Sequence, residues 1–332
     1  MPAVAANLNP WINDAREACG DEAKAVAFWE RHRGWMDNPA CPRCGDTDVR
    51  KLHGDARSRW RCRGCKQDYT VRTGTVMEDS KIQIRHWTLA LWLHCAGKKG
   101  FASKQLQRMT GLSYKSALFM AHRIRYAMSD EPATALLGTA GAVEVDETYV
   151  GGKPRKPTKR QREKAAAEGR ELPKSKRGRG TKKIPVVAIV ERGGRVVASP
   201  VQSVTGETLK EAIRTYVDPR ARINTDELVL YRGIGAEFEG GHRTVQHSQD
   251  EYVRYDADGA VAHINSAEGF FSLLKRGIQG VYHSVSPRHL HRYVDAAAWR
   301  YSNRRSDDGE RMRLLVQCCE GKRLPNRKSA AL

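Results

Sequence analysis

The sequence predicts a multidomain chain: a small cysteine-rich metal module, a helical block, and an α/β domain interrupted by a basic insertion. Three observations carry this. Two Cys-x-x-Cys pairs lie between Cys41 and Cys65 with 17 residues separating them. Apolar residues recur with a helical period from residue 82 to residue 128. Beyond Val143, strand-like and helix-like stretches alternate as far as Arg304. A length of 332 residues with 40% hydrophobic content suffices for two or three cores. No run approaches the ~18 apolar residues a membrane span needs. The first residues lack the basic stretch and apolar run of a signal peptide. A cytoplasmic protein is therefore expected. Its formal charge of +20 calls for a polyanionic partner, nucleic acid first.

Residues 1–36 read as a helical N-terminal segment, and residues 37–80 as a zinc ribbon. Of eight cysteines, four fall within 25 residues, which is a metal-site pattern and not a disulfide framework. Cys41, Cys44, Cys62 and Cys65 can surround one Zn²⁺ as two tight knuckles, with Gly45 and Gly64 supplying permissive backbone. His53 could compete as a ligand, but four cysteines make it redundant.

Residues 81–130 read as a helix-turn-helix. After a buried helix from Ile84 to Ala96, the apolar set Leu106, Met109, Leu112, Ala117, Leu118, Ala121 and Ile124 breaks at Thr110-Gly111-Leu112-Ser113. Ser103 and Ser113 are candidate caps. The outward face of the second helix is expected to show Tyr114, Lys115, His122, Arg123 and Arg125 to DNA.

Residues 141–304 hold the α/β domain. Val143 to Val150 alternates as a strand and places Asp146 opposite Val145. The segment 153–183 then carries 14 basic and 3 acidic residues, a net +11, with few large apolar side chains. It is expected to be disordered and to contact phosphates, with Lys176, Arg177 and Arg179 in its densest part. Two β-runs follow, Ile184–Val190 and Arg195–Val204, around the turn Arg192-Gly193-Gly194. A helix from Thr205 to Val217, a strand ending at Asp226, a short strand at Thr244–His247 and a helix from His263 to Gln279 complete the order. Residues 305–332 read as a polar tail.

This order suits a mixed sheet of the RNase H type. Asp146, Asp226 and Glu268 could then hold two divalent cations, Mg²⁺ or Mn²⁺, that activate water and stabilise a leaving 3′-oxygen. Lys275 lies seven residues past Glu268 and returns to nearly the same helix face, and Asn265 lies one turn before it. Each acid alone is weak evidence of a site. Glu268 could be a surface acid and Asp226 a helix cap.

The segments VEVDETYVGG, INTDE and HINSAEGFFSLLKRGIQGVYHSVSPRHLHRYVDAAAWRYSNR resemble the zinc-ribbon DDE-type transposases of bacterial insertion sequences. The nearest group is the insertion-sequence family numbered fifteen-ninety-five. With the ribbon, YTVRTGTVMEDSK and the helix-turn-helix, the resemblance runs from Cys41 to Arg304. It implies an RNase H-like catalytic domain, Mg²⁺ or Mn²⁺, and cleavage with strand transfer at terminal inverted repeats. It also implies target DNA as second substrate, a homodimer or higher oligomer on DNA, and a place in the bacterial nucleoid. In that family the third catalytic residue is Glu or Asn. Both Glu268 and Asn265 are present here, and the spacing to Lys275 favours Glu268.

Other readings fit parts of the sequence. His289-Leu290-His291 with Tyr293 suggests a His-hydrophobe-His nuclease, but the segment reads as a helix, placing the two histidines ~200° apart. A non-catalytic zinc-ribbon and helix-turn-helix regulator derived from a transposase explains the charge, but not the separated acids. An inactive transposase is the remaining alternative, although no motif residue is missing.

Overall fold

The computed structural model describes residues 10–55, 58–129, 136–139, 141–151, 157–171, 181 and 183–325. Helices α1 (Pro10–Gly20) and α2 (Glu22–His32) open the chain, and Asp21 caps α2 by accepting from the Lys24 amide at 2.8 Å. Strands β1 (Val49–Lys51), β2 (Trp60–Cys62) and β3 (Asp68–Tyr69) form an antiparallel sheet in that order. Helices α3 (Ile84–Ala96), α4 (Ser103–Thr110) and α5 (Tyr114–Ala127) follow. Gly111, at φ +69°, closes α4 in the left-handed conformation that glycine adopts freely. Ser113 caps α5 through the Ser116 amide at 3.2 Å. Ser103 does not act as a cap. It is the first residue of α4, and Ala102 stands at the cap position.

The second half contains β4 (Ala142–Val150), α6 (Lys159–Ala167), β5 (Ile184–Glu191), β6 (Val196–Pro200), α7 (Gly206–Tyr216) and β7 (Arg222–Asp226). Next come β8 (His242–Val245), a small hairpin of β9 (Arg254–Tyr255) and β10 (Val261–Ala262), and α8 (Asn265–Gly277). Helices α9 (Leu290–Ser302) and α10 (Asp308–Cys318) end the described chain. Five strands form one mixed sheet in the order β6-β5-β4-β7-β8. The tight turn around Gly193 makes β5 and β6 antiparallel, whereas β7 runs parallel to both β4 and β8. Alternation divides the side chains. Val143, Val145 and Ile223 pack with Leu209 and Ile213 of α7 on one face. Val150, Ala188 and Val190 pack with Phe270 of α8 and Val294 of α9 on the other.

Two expectations about the extent of ordered structure also need correction. Part of the basic insertion is ordered as α6, because Thr158 and Gln161 form a reciprocal capping box ahead of good helix formers. Lys176, Arg177 and Arg179 lie outside the described residues. The region read as a polar tail contains α10, whose Met312, Leu315 and Val316 join the core of α1–α5. Its four buried residues are spread among charged ones, so their helical period is faint in the sequence. Among the described residues, no helix is long and apolar enough to cross a membrane.

Candidate active site and metal centre

Strands β4 and β7 pair in parallel through Glu144 and Asn224, and Asp146 and Asp226 each follow two residues later. Two residues restore the same face of a strand, so both acids lie on the side that α8 covers. The Asp146 carboxyl is pushed up to about 7, first by burial and then by the negative charges of Glu147, Asp226 and Glu268. The Glu147 amide opposes this by donating to Asp146 Oδ1 at 2.8 Å. Asp226 Oδ1 accepts from the Leu228 amide at 3.1 Å. Glu268 lies in the first turn of α8, 48% exposed, with Oε1 3.9 Å from His247 Nδ1. Asn265 is the first residue of the same helix, and Lys275 is exposed in its last turn.

The sequence expectation passed over four neighbours of this site. Glu144 is fully buried and binds the N-terminus of α8, and Arg192 holds it there. Tyr231 donates to Glu147 Oε2 at 3.0 Å; burial and the adjacent acids keep its hydroxyl protonated. His247, just after β8, reaches toward Glu268. Alternation alone could have flagged Glu144, since it shares a strand face with Asp146. Nothing local pointed to Tyr231 or His247.

The cysteines form a separate centre. The sulfurs of Cys41, Cys44, Cys62 and Cys65 all lie within 4.8 Å of one another. Cys41 and Cys65 are 3.8 Å apart, and Cys44 and Cys62 are 3.6 Å apart. A tetrahedral zinc with bonds of about 2.3 Å holds its sulfurs about 3.8 Å apart, so the set fits that ion. In the first knuckle, Gly45 takes φ +78°; in the second, the corresponding residue is Lys66, at φ +57°. Gly64 does not take such an angle, and a Cβ there would stand 1.9 Å from Asp46 Oδ2, so that carboxylate would have to turn aside. His53 is exposed and outside the cluster. Among the described residues, no other set of three or more metal-binding side chains is this tight, so the carboxylates of Asp146, Asp226 and Glu268 stand further apart.

The expected DNA-facing surface of α5 is corrected. Lys115 is exposed, but His122, Arg123 and Arg125 are buried. Arg123 donates to the carbonyls of Val76, Glu78 and Leu324 at 2.9, 2.7 and 3.1 Å. Arg125 stacks on Tyr293 and Tyr282, 4.1 and 5.0 Å from their ring centres. The His122 ring lies 4.9 Å from that of His289. These three residues join α5 to the rest of the protein. Lys104 and Arg108 of α4 are also exposed, on the rim of a groove that Tyr114 and His283 line. His289 precedes α9 and His291 lies within it, so they do not share a strand face.

Comparison with known proteins gives these sites a context. The profile of the ISXO2-like transposase domain matches residues 138–302, the span from β4 to the end of α9. A Halobacterium salinarum protein, described as an uncharacterized protein in transposable element ISH50, is 27% identical over 296 residues. That match covers 85% of this chain and 92% of the relative. The two matches together support an IS1595-like transposase, and Asp146, Asp226 and Glu268 all fall inside the matched span.

Proposed function

We propose that this protein is a divalent-metal-dependent DDE-type DNA transposase, with an RNase H-like catalytic domain and a front end that binds the terminal inverted repeats of its element. The observation that carries the reading is the placement of Asp146 and Asp226 on adjacent parallel strands, under the helix that presents Glu268. The donor set suits a hard cation: the charges acting most strongly on Asp146 are all carboxylates, and a positive ion there would relieve their repulsion. Asp146, Asp226 and Glu268 would hold Mg²⁺ or Mn²⁺, which supplies activation of the attacking hydroxyl and stabilisation of the leaving 3′-oxygen. Asp146 must lose its proton for this, and its carboxyl at about 7 is ready to do so at neutral pH. Tyr231 keeps Glu147 in a fixed orientation beside it. Lys275, two turns along α8 from Glu268, is placed to contact a phosphate near the scissile bond.

The four cysteines hold a structural zinc in a ribbon, and α4 with α5 acts as a helix-turn-helix through Lys115 and the exposed α4 cations. Glu268 is preferred over Asn265 as third ligand, because its charge already acts on Asp146. The test is cleavage of the element's own ends with Mg²⁺, comparing wild type with Asp146→Asn and Asp226→Asn. Loss of cleavage with DNA binding retained is expected. Wild-type cleavage by both variants would leave a DNA-binding regulator as the better account.

A further inference from the structure

Glu144 sits fully buried in the sheet with donors around both carboxylate oxygens. Arg192 Nε donates to Oε1 at 2.8 Å and Ser266 Oγ donates to it at 3.1 Å, with His263 Nδ1 3.0 Å away. Oε2 accepts from the backbone amides of Ser266 at 2.7 Å and Ala267 at 3.1 Å. These amides are the second and third of α8, and helix geometry leaves them without partners of their own. The helix cannot cap itself, since Ile264 at the cap position carries no side-chain acceptor. Its cap comes from strand β4, 122 residues earlier in the chain for Ser266. The negative charge also meets the positive end of the helix. Arg192 extends the clamp by donating to the Val261 carbonyl at 2.6 Å and the His263 carbonyl at 3.0 Å.

Asp146 follows Glu144 by two residues on the same strand face, and Glu268 directly follows Ala267. The clamp therefore ties the strand next to one acid to the helical turn next to the other. We propose that Glu144 is a positioning residue which, with Arg192, sets the separation of Asp146 and Glu268 and so governs metal affinity without touching the metal. This rests on the metal-dependent reading above. A glutamine in its place would keep the shape but turn an NH₂ group toward existing donors, loosening the first turn of α8. Outer residues that orient metal ligands change affinity when replaced, even though they make no bond to the ion.

The test measures Mn²⁺ binding to the full-length protein without DNA, by electron paramagnetic resonance of the free ion, with thermal melting alongside. Glu144→Gln is expected to weaken Mn²⁺ binding about tenfold to hundredfold. The metal midpoint of DNA cleavage should shift upward to match, with cleavage returning at saturating Mn²⁺. Arg192→Gln should shift both in the same direction. Asp146→Asn, run in parallel, should abolish Mn²⁺ binding. If Asp146→Asn binds Mn²⁺ like wild type, the metal reading falls and the clamp's role falls with it. If Asp146→Asn loses Mn²⁺ while Glu144→Gln and Arg192→Gln keep wild-type affinity, the positioning role alone is overturned. Should Glu144→Gln fail to fold, Arg192→Gln decides the matter: weaker Mn²⁺ binding at an unchanged melting temperature supports the clamp, and wild-type affinity overturns it.

Discussion

Asp146 and Arg123 show how far burial changes what a charged side chain does. Burial pushes the Asp146 carboxyl up from 3.8, the value of a free side chain, to about 7. Between these values the folded state holds a proton that the unfolded chain has released. The Asp146 contribution to metal-free stability therefore falls as pH rises from about 4 to about 7, against the opposite trend from histidines such as His94 and His122, whose pKa burial lowers. Asp146→Asn should remove that contribution and raise the metal-free melting temperature at pH 8, by about 2–4 °C for each kcal/mol recovered. Melting curves of both proteins across this pH range check it, and a difference between them that does not grow with pH would count against it. Arg123 makes its three hydrogen bonds to backbone carbonyls from a buried position. Arg123→Ala should cost about 2–4 kcal/mol of stability, since charged hydrogen bonds are removed and buried carbonyls left unpaired. Denaturant titration measures this, and preference among DNA sequences should not change.

At the scale of elements, the ribbon and α10 depend on other parts of the chain in different ways. The ribbon has three strands of two or three residues, too little to fold by apolar burial alone. One zinc per chain is the expected stoichiometry, and Cys62→Ser should lose the metal and unfold the ribbon. Elemental analysis with circular dichroism reads both. Beneath it, Glu30 of α2 accepts from Trp60 Nε1 at 2.9 Å and Lys51 Nζ at 2.5 Å, fixing the ribbon to the N-terminal helices. Helix α10 is held by packing. Leu315 is fully buried in the core of α1–α5, so Leu315→Ala should destabilise that body by about 2–5 kcal/mol. Were α10 a dispensable tail, the variant would melt with the wild type.

At the scale of the whole molecule, the described parts of its two halves pack against each other. The core of α1–α5 includes Ala296 and Trp299 of α9 as well as the α10 residues, so the front end and the α/β domain share packing. Arg125 on α5 stacking against Tyr293 of α9 adds to that joint. The positive charge is distributed differently, with a net +11 concentrated in residues 153–183. Deleting this segment should weaken binding to every DNA sequence, and reduce the salt dependence by about 0.9 log units per log unit of salt for each phosphate no longer neutralised. Lys115→Ala should instead change the preference among end sequences. Binding isotherms at several salt concentrations separate these effects; a deletion that altered sequence preference would reverse the assignment.

Much of this was legible from local pattern. Strand β4, helix α3, the four-cysteine cluster and the strand ending at Asp226 follow from alternation, helical period and ligand spacing, each of which acts over a few residues. The placement of Asp146 and Asp226 was legible only as an order of elements. Their proximity comes from the parallel pairing of β4 with β7, two strands some 80 residues apart in the chain. The errors on α5 share one cause. Helical spacing places His122, Arg123 and Arg125 on a polar face of α5, but nothing local reveals that α9 and the segment at Leu324 pack over it. The strand face of Glu144 was legible from alternation, but its burial was not: a carboxylate is buried only where distant donors converge on it. Propensity, capping and metal-ligand spacing were thus set by the sequence alone. Which charged side chains meet solvent, and which hold the fold together, was decided by tertiary packing, because desolvation depends on what lies above a residue and not on its neighbours in the chain.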